Sequence, residues 1–190
     1  MNVYGRSPSR DQKGSAFFLR VPMIGQQQGD TAKMELDPQW EYVADAVMGG
    51  VSEGGVQQEM YRGRMATVLR GEVSLKNNGG FIQIAFDLRP DGTGFNAGDW
   101  DGIELVNCGN GERYDIRLRT DQLSRPWQSF RTEFTAAAEW RTQRIPFSTF
   151  VSHRTNAVFD PSQLRRIGVL AIGREFQAEL AVAGICLYRD

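Results

Sequence analysis

The sequence predicts an all-β fold, two antiparallel sheets packed as a sandwich, and three observations predict it. Several short segments alternate apolar and polar residues with period two, as half-buried strands do. The stretches between them, such as "KNNGG", "RPDGTGFNAGD" and "NCGNGE", have turn and loop compositions. No convincing long helix follows residue 33. At 190 residues, 41% of them hydrophobic and 11% aromatic, the chain has the length for one domain with a substantial core. It shows no internal repeat.

Taken in order, residues 1–33 are rich in Gly, Gln, Ser and charge, with one apolar piece, "AFFLRVPMI". They are expected to form an extended or disordered tail, leaving 34–190 as the sandwich domain. The apolar piece is broken by Arg20 and Pro22 and no small-residue cleavage site follows, so it is not read as a secretory signal. Acids are scarce before Asp30, as in a transit peptide, but a clean amphipathic helix is lacking. "DPQWEYVADAV" is helix-ambiguous, and "DAVMGGVSEGG" reads as a glycine-rich loop. Strands are expected at 63–70 and 72–76. "GGFIQIAFDL" follows, with Ile82, Ile84, Phe86 and Leu88 on one face and Phe81, Gln83, Ala85 and Asp87 on the other. Next come 102–107 and then "RYDIRLRT", which sets Tyr114, Ile116 and Leu118 against Arg113, Asp115, Arg117 and Arg119. "WQSFRTEF" sets Phe130, Thr132 and Phe134 against Ser129, Arg131 and Glu133. Strands at 140–146, 167–173 and 178–189 complete the set, with one short turn in "DPSQLRRIG".

The formal net charge of −1 argues against nucleic acid as a partner. Lysine occurs only at 13, 33 and 76, so the cations are overwhelmingly arginine, whose planar fork suits carboxylates and aromatic faces. No run of 18 apolar residues exists to span a bilayer. Cys108 and Cys186 sit far apart in strand candidates and are expected to be buried free thiols.

The glycine-rich stretches do not match nucleotide motifs. Gly49 to Gly54 lacks the Lys-Ser/Thr of a phosphate loop, and "GTGFNAG" has one residue too many for a dinucleotide fingerprint. Asp99, Asp101 and Asp115 could approach one another as calcium ligands, but a solvated turn capped by its own aspartates is the expected state. With a single histidine and no C-x-x-C spacing, zinc is not expected. His153 would have to serve any Ser-His-acid arrangement, and its neighbour Ser152 points elsewhere in an extended chain, so His153 is expected at the surface. No catalytic set, cofactor or metal site is therefore predicted. One surface stands out. If 113–119 and 127–134 are neighbouring strands, Arg117, Arg119, Arg131 and Glu133, with Trp127 close by, share an open sheet face. That face either holds sugar rings, carboxylates or protein side chains, or carries ordinary cross-strand ion pairs.

The order Trp40, Asp45, Val47 to Gly50 and Ser52 ("W-x4-D-x-VMGG-x-S") resembles the start of the complex I intermediate-associated protein family. "GEVSLKNNGGF", "DGIEL", "RYDIRLRT", "WQSFRTEF", "EWRTQRIPFSTF" and "LRRIGVLAIG" follow in the family's order, covering roughly 34–190. "FVSHRTNAVFD" departs from the family's loop. The resemblance implies a jelly-roll sandwich of the galactose-binding-like kind. Its best-known relatives are mitochondrial factors that help build respiratory complex I without remaining in it, and plant and cyanobacterial relatives serve photosynthetic complexes. It carries no agreed catalytic residues. Its shared positions fall here on Trp40, Asp45, Met48, Gly49, Gly50, Ser52, Asn78, Gly80 and Phe81.

Within that frame Gly49 and Gly50 are expected to permit positive φ and close approach. Asp45 and Ser52 are expected to bond loop amides and pin "NNGGF" alongside. Met48 is read either as a plug in the sandwich end or as a contact for a partner. The predicted function is non-catalytic: a protein-binding assembly factor for a membrane energy-transducing complex. Its partner would be a subunit or an assembly intermediate, met through these loops or the arginine-rich face. The alternative is a carbohydrate-binding module, for which Trp100 and Trp127 are the exposed-aromatic candidates. Weak glycan or metal binding stays open. The expected location is the cytoplasm, peripheral to a membrane complex, or the organellar matrix or stroma in a eukaryote.

Overall fold

The computed structural model describes residues 32–190, and among these there are strands and short 3-10 turns but no α-helix. The expected tail lies outside the described residues, apart from Ala32 and Lys33, which already belong to the first strand. The strands in chain order are β1 Ala32–Glu35, β2 Glu41–Ala44, β3 Glu53–Tyr61 and β4 Arg64–Val73. They continue with β5 Phe81–Asp87, β6 Gly102–Gly109, β7 Arg113–Thr120 and β8 Ser129–Thr135. The last four are β9 Arg141–Pro146, β10 Val151–His153, β11 Leu164–Ile172 and β12 Phe176–Arg189.

Two antiparallel sheets result. The first has the order β3-β4-β12-β6-β9, with β1 paired to β12; the second has the order β10-β8-β7-β11-β5-β2. The 14-residue β12 is the spine of the first sheet. Its residues 176–182 pair with β4 and 180–188 with β6, with a register shift between Val182 and Gly184. Ala32 pairs opposite Arg189 at its far end.

The inward faces are those that the alternation predicts. Ile82, Ile84, Phe86, Tyr114, Ile116, Leu118, Ile167 and Val169 of the second sheet are buried in one core. Leu69, Ile103, Leu105, Leu180 and Ile185 of the first sheet share it. Each such side chain contributes about 1.5–3 kcal/mol on burial. Trp40 seals one margin edge-on to Phe86, with ring centroids 4.8 Å apart. A smaller apolar cluster, Tyr61, Ala66, Val68, Cys108 and Ala181 under Trp140, lies apart from this core on the other face of the first sheet. Cys108 and Cys186 are free and buried.

Local structure differs from expectation in several places, and the short strands β1 and β10 are additions to the expected set. Segments 63–70 and 72–76 form one strand, β4, ending at Val73. β3 was not expected at all, because Gly54, Gly55 and the polar run Gln57–Glu59 mask its pattern. The ambiguous "DPQWEYVADAV" splits into strand β2 and a 3-10 turn, Asp45–Met48. "DPSQLRRIG" holds the expected short turn, Pro161–Gln163, but β11 begins at Leu164, ahead of the expected 167.

Candidate functional site

Two constellations emerge, one in the loops at the start of β5 and one on the outer face of the second sheet. The first is built around Asp45, which leaves β2 and is fully buried. Its Oδ1 accepts the Ser52 N–H at 3.0 Å. Its Oδ2 accepts the Ser52 hydroxyl at 2.5 Å, the Gly80 N–H at 2.5 Å and the Phe81 N–H at 3.2 Å. Ser52 Oγ in turn accepts the Ser74 N–H at 3.0 Å. One carboxylate thereby ties the loop 45–52 to the loop 74–80. Burial opposes its ionisation, but the donors from Gly80, Ser52 and Phe81 outweigh this and hold its pKa below the ordinary value.

The glycines serve this latch in different ways. Gly49 takes φ +87°, the left-handed conformation that closes the 3-10 turn. Gly50 does not need positive φ; a Cβ there would overlap the Asp45 carboxyl group, as would one on Gly79. Asn77 and Asn78 adopt left-handed φ of 56° and 57°, which asparagine tolerates better than most residues. Met48 does not plug the sandwich end: it is 65% exposed, and Val47, Val51 and Leu75 stand out of the same two loops. The latch therefore displays an apolar surface on a backbone fixed from beneath.

The second constellation is the outer face of the second sheet. Arg131, Arg117, Gly168, Ala85 and Glu41 lie in one cross-strand row. Glu133, Asp115, Leu170, Gln83 and Val43 lie in the next. Asp115 is buried and held by Arg117 at 3.0 Å and by Arg131 at 3.1 Å. Arg131 also reaches Glu133 at 2.7 Å. Arg166 joins Glu41 at 2.7 Å and Asp87 at 3.1 Å. Of the two readings of this face, the cross-strand ion pairs are present.

Arg119 is treated differently. It makes no ion pair among the described residues. Its Nη2 donates to the Arg125 carbonyl at 3.1 Å, while its buried Nε finds no protein partner. Burial and the nearby charges of Arg165 and Arg166 pull its pKa down. Trp127 is exposed in the loop between β7 and β8, with the Arg125 guanidinium 6.0 Å from its ring centroid. Trp100, by contrast, is partly buried against the core, so the two tryptophans form no open pair.

His153 pairs in register with Ser129 on the neighbouring strand and is partly buried rather than fully at the surface. Burial and the charges of Arg117, Arg131 and Arg154 lower its pKa, which keeps the ring neutral at pH 7. It has no hydrogen bond to a serine hydroxyl among the described residues. Nor do three His, Cys, Asp or Glu side chains converge to hold a metal among those residues. Asp101 accepts the Asp190 N–H, while Asp115 is taken up by its arginines. Sequence reasoning did not single out Leu75 or Val51, whose only signal is an apolar residue beside a glycine turn, and it named Val47 only as part of the family pattern. It placed Ser129 on the right face without marking it.

The profile of the complex I intermediate-associated protein 30 family matches residues 29–182. No curated protein sequence gives a match. Among solved structures, the chain is similar to the family 11 carbohydrate-binding module from Clostridium thermocellum, solved in complex with a β-1,3-1,4-mixed-linked tetrasaccharide. That likeness has a TM-score of 0.64 at 16% identity over 82% of this chain and 94% of that one. It is also similar to the family 30 carbohydrate-binding module of the cellulosomal cellulase from the same organism. There the TM-score is 0.60 at 15% identity, over 82% of this chain and 96% of that one. At such identities the likeness concerns the fold, a jelly-roll sandwich of the galactose-binding-like kind. No helix among the described residues is long and apolar enough to cross a membrane.

Proposed function

The chain belongs to the complex I intermediate-associated protein 30 family, and from that premise we propose that it is a non-catalytic assembly factor for a membrane energy-transducing complex. It would grip an apolar segment of a subunit or intermediate through the loops latched by Asp45, standing beside the membrane complex rather than in the bilayer. The observation that carries this reading is Met48, 65% exposed on a turn whose backbone is fixed by a buried carboxylate. A methionine adapts its shape to a partner, and a rigid display reduces the ordering cost of binding.

The test is affinity purification from the source cells, with membrane and aqueous fractions separated and co-purifying proteins identified. The wild type should recover a reproducible membrane complex, and a Met48→Asp, Leu75→Asp double variant should lose it while remaining folded. Equal recovery by the variant would reject the loops as the contact, and recovery of the protein alone would reject the assembly role.

A second reading, glycan binding, is favoured by the exposed Trp127 beside the arginine-lined face on a fold shared with carbohydrate-binding modules. Binding of a mixed-linked β-glucan oligosaccharide that disappears in Trp127→Ala would establish it.

A further inference from the structure

We propose that the outer face of the second sheet carries an oxyanion-binding site built on Arg119 and Ser129, taking a carboxylate or phosphate group of a small ligand. Leu118 and Phe130 are register partners and both point into the core. The next residues along the two strands, Arg119 and Ser129, therefore face outward side by side. Ser129 is only 3% exposed, yet its Oγ has no protein hydrogen-bond partner, and neither has the buried Nε of Arg119. Orphaned polar atoms at that depth are costly, and two neighbouring ones mark a place where something else completes the bonds.

Chemistry decides what that is. Arg119 can only donate, and the Ser129 hydroxyl can donate alongside it. A group that accepts from both at once, in a region lacking spare negative charge, is an oxyanion. The carboxylates on this face are committed: Asp115 to Arg117 and Arg131, Glu133 to Arg131, and Glu41 and Asp87 to Arg166. Arg119 has no ion-pair partner among the described residues; Arg165 and Arg166 bear on its charge, and Asp87 is the smaller opposing influence. A cation would be repelled here, and a neutral sugar would leave that charge unpaired.

The site is also shaped in advance. The Arg125 carbonyl holds Nη2 of Arg119 at 3.1 Å, which restrains the guanidinium. Arg125 itself is fixed through its N–H to Gln128 Oε1 at 3.0 Å. Trp127 is exposed in the same loop, with the Arg125 guanidinium 6.0 Å from its ring centroid. The Asp45 latch lies away from all this: Asp45 bonds Phe81 at the start of β5, and Arg119 shares Arg166 as register neighbour with Asp87 at its end. Six residues of strand separate the two by about 20 Å.

Calorimetric titration of the full chain with inorganic phosphate and, separately, with succinate, at constant ionic strength, tests the proposal. Binding with a dissociation constant below about 1 mM is expected for at least one of them. It should weaken about tenfold or more in Arg119→Met and measurably in Ser129→Ala, while Met48→Asp leaves it unchanged. Phosphate alone binding would assign a phosphate ester, succinate alone a carboxylic acid; either supports the site. No heat from either anion, or equal binding by a folded Arg119→Met or Ser129→Ala variant, overturns it. Because Met48→Asp serves as the control, loss of partner capture and loss of anion binding are read independently.

Discussion

Two buried aspartates, Asp45 and Asp115, are held by opposite means. Asp45 has no cation among its partners: three backbone N–H groups and one hydroxyl hold it. Asp115 is held almost entirely by guanidinium groups from Arg117 and Arg131. Neutral donors fixed in the main chain make Asp45 a clamp on backbone shape, with little field reaching solvent. Long charged partners make Asp115 one knot in a surface network, where the surplus of arginine stays available at Arg119. The same residue type therefore builds a rigid loop in one place and an electrostatic face in the other.

Removing the clamp gives the largest expected effect. Asp45→Ala strands four donors and should cost about 4 kcal/mol, read as a lower urea midpoint with unchanged slope. Because the Asp45 pKa is depressed by folding, its contribution is present above the unfolded carboxyl pKa of about 4. It is lost as pH falls through the lower folded value. Denaturation curves at pH 3 and pH 7 should accordingly converge more in Asp45→Asn than in the wild type; equal divergence would show that Asp45 is not the acid-sensitive group.

The glycines sharpen the contrast. Gly50→Ala and Gly79→Ala, each placing a Cβ against the Asp45 carboxyl group, should lose about 2 kcal/mol. Gly55→Ala, where a Cβ meets open space and φ is not positive, should be neutral or gain up to about 1 kcal/mol. Equal losses at all three would mean that the latch is not the constraint.

Asp115→Asn should cost less, about 1–2 kcal/mol, because its arginines keep partial access to solvent. That loss should shrink between 50 mM and 500 mM salt, whereas the Asp45 loss should not. Salt dependence of the reverse order would break the distinction between the two sites. Smallest of all, Trp127→Ala should leave the melting temperature within about 1 °C, since the ring is over half exposed.

The second sheet was legible in the sequence because β5, β7 and β8 turn an apolar face to the core and a more polar face outward, which prints an alternation. Such a signature fails where another demand overrides it. β3 is an edge strand whose Gly54 faces Gly71 across the ladder, and a Cβ on Gly54 would strike the Arg70 carbonyl. Close approach of two backbones selected residues that read as a loop. The pairing of Asp45 with Gly80 spans 35 residues, and no periodicity encodes it; the collinear family pattern pointed to both loops. The exposure of Met48 was beyond pattern reasoning, because only the finished latch decides which way that turn faces. Ser129 lies on a correctly assigned face, yet its lack of a partner is a property of the assembled sheet.

The placement of β12 sets the timetable of folding. It is the last strand in chain order, and it alone joins the β3-β4 hairpin and β1 to the β6-β9 pair. Until residues 176–189 have been synthesised, the two halves of the first sheet have no strand between them, and the apolar faces of β4 and β6 stay uncovered. Every one of these pairings is long-range, which slows closure and lengthens exposure to aggregation. The nascent chain is thus at risk, and a premature stop before residue 176 would yield a sticky fragment rather than a weakened protein.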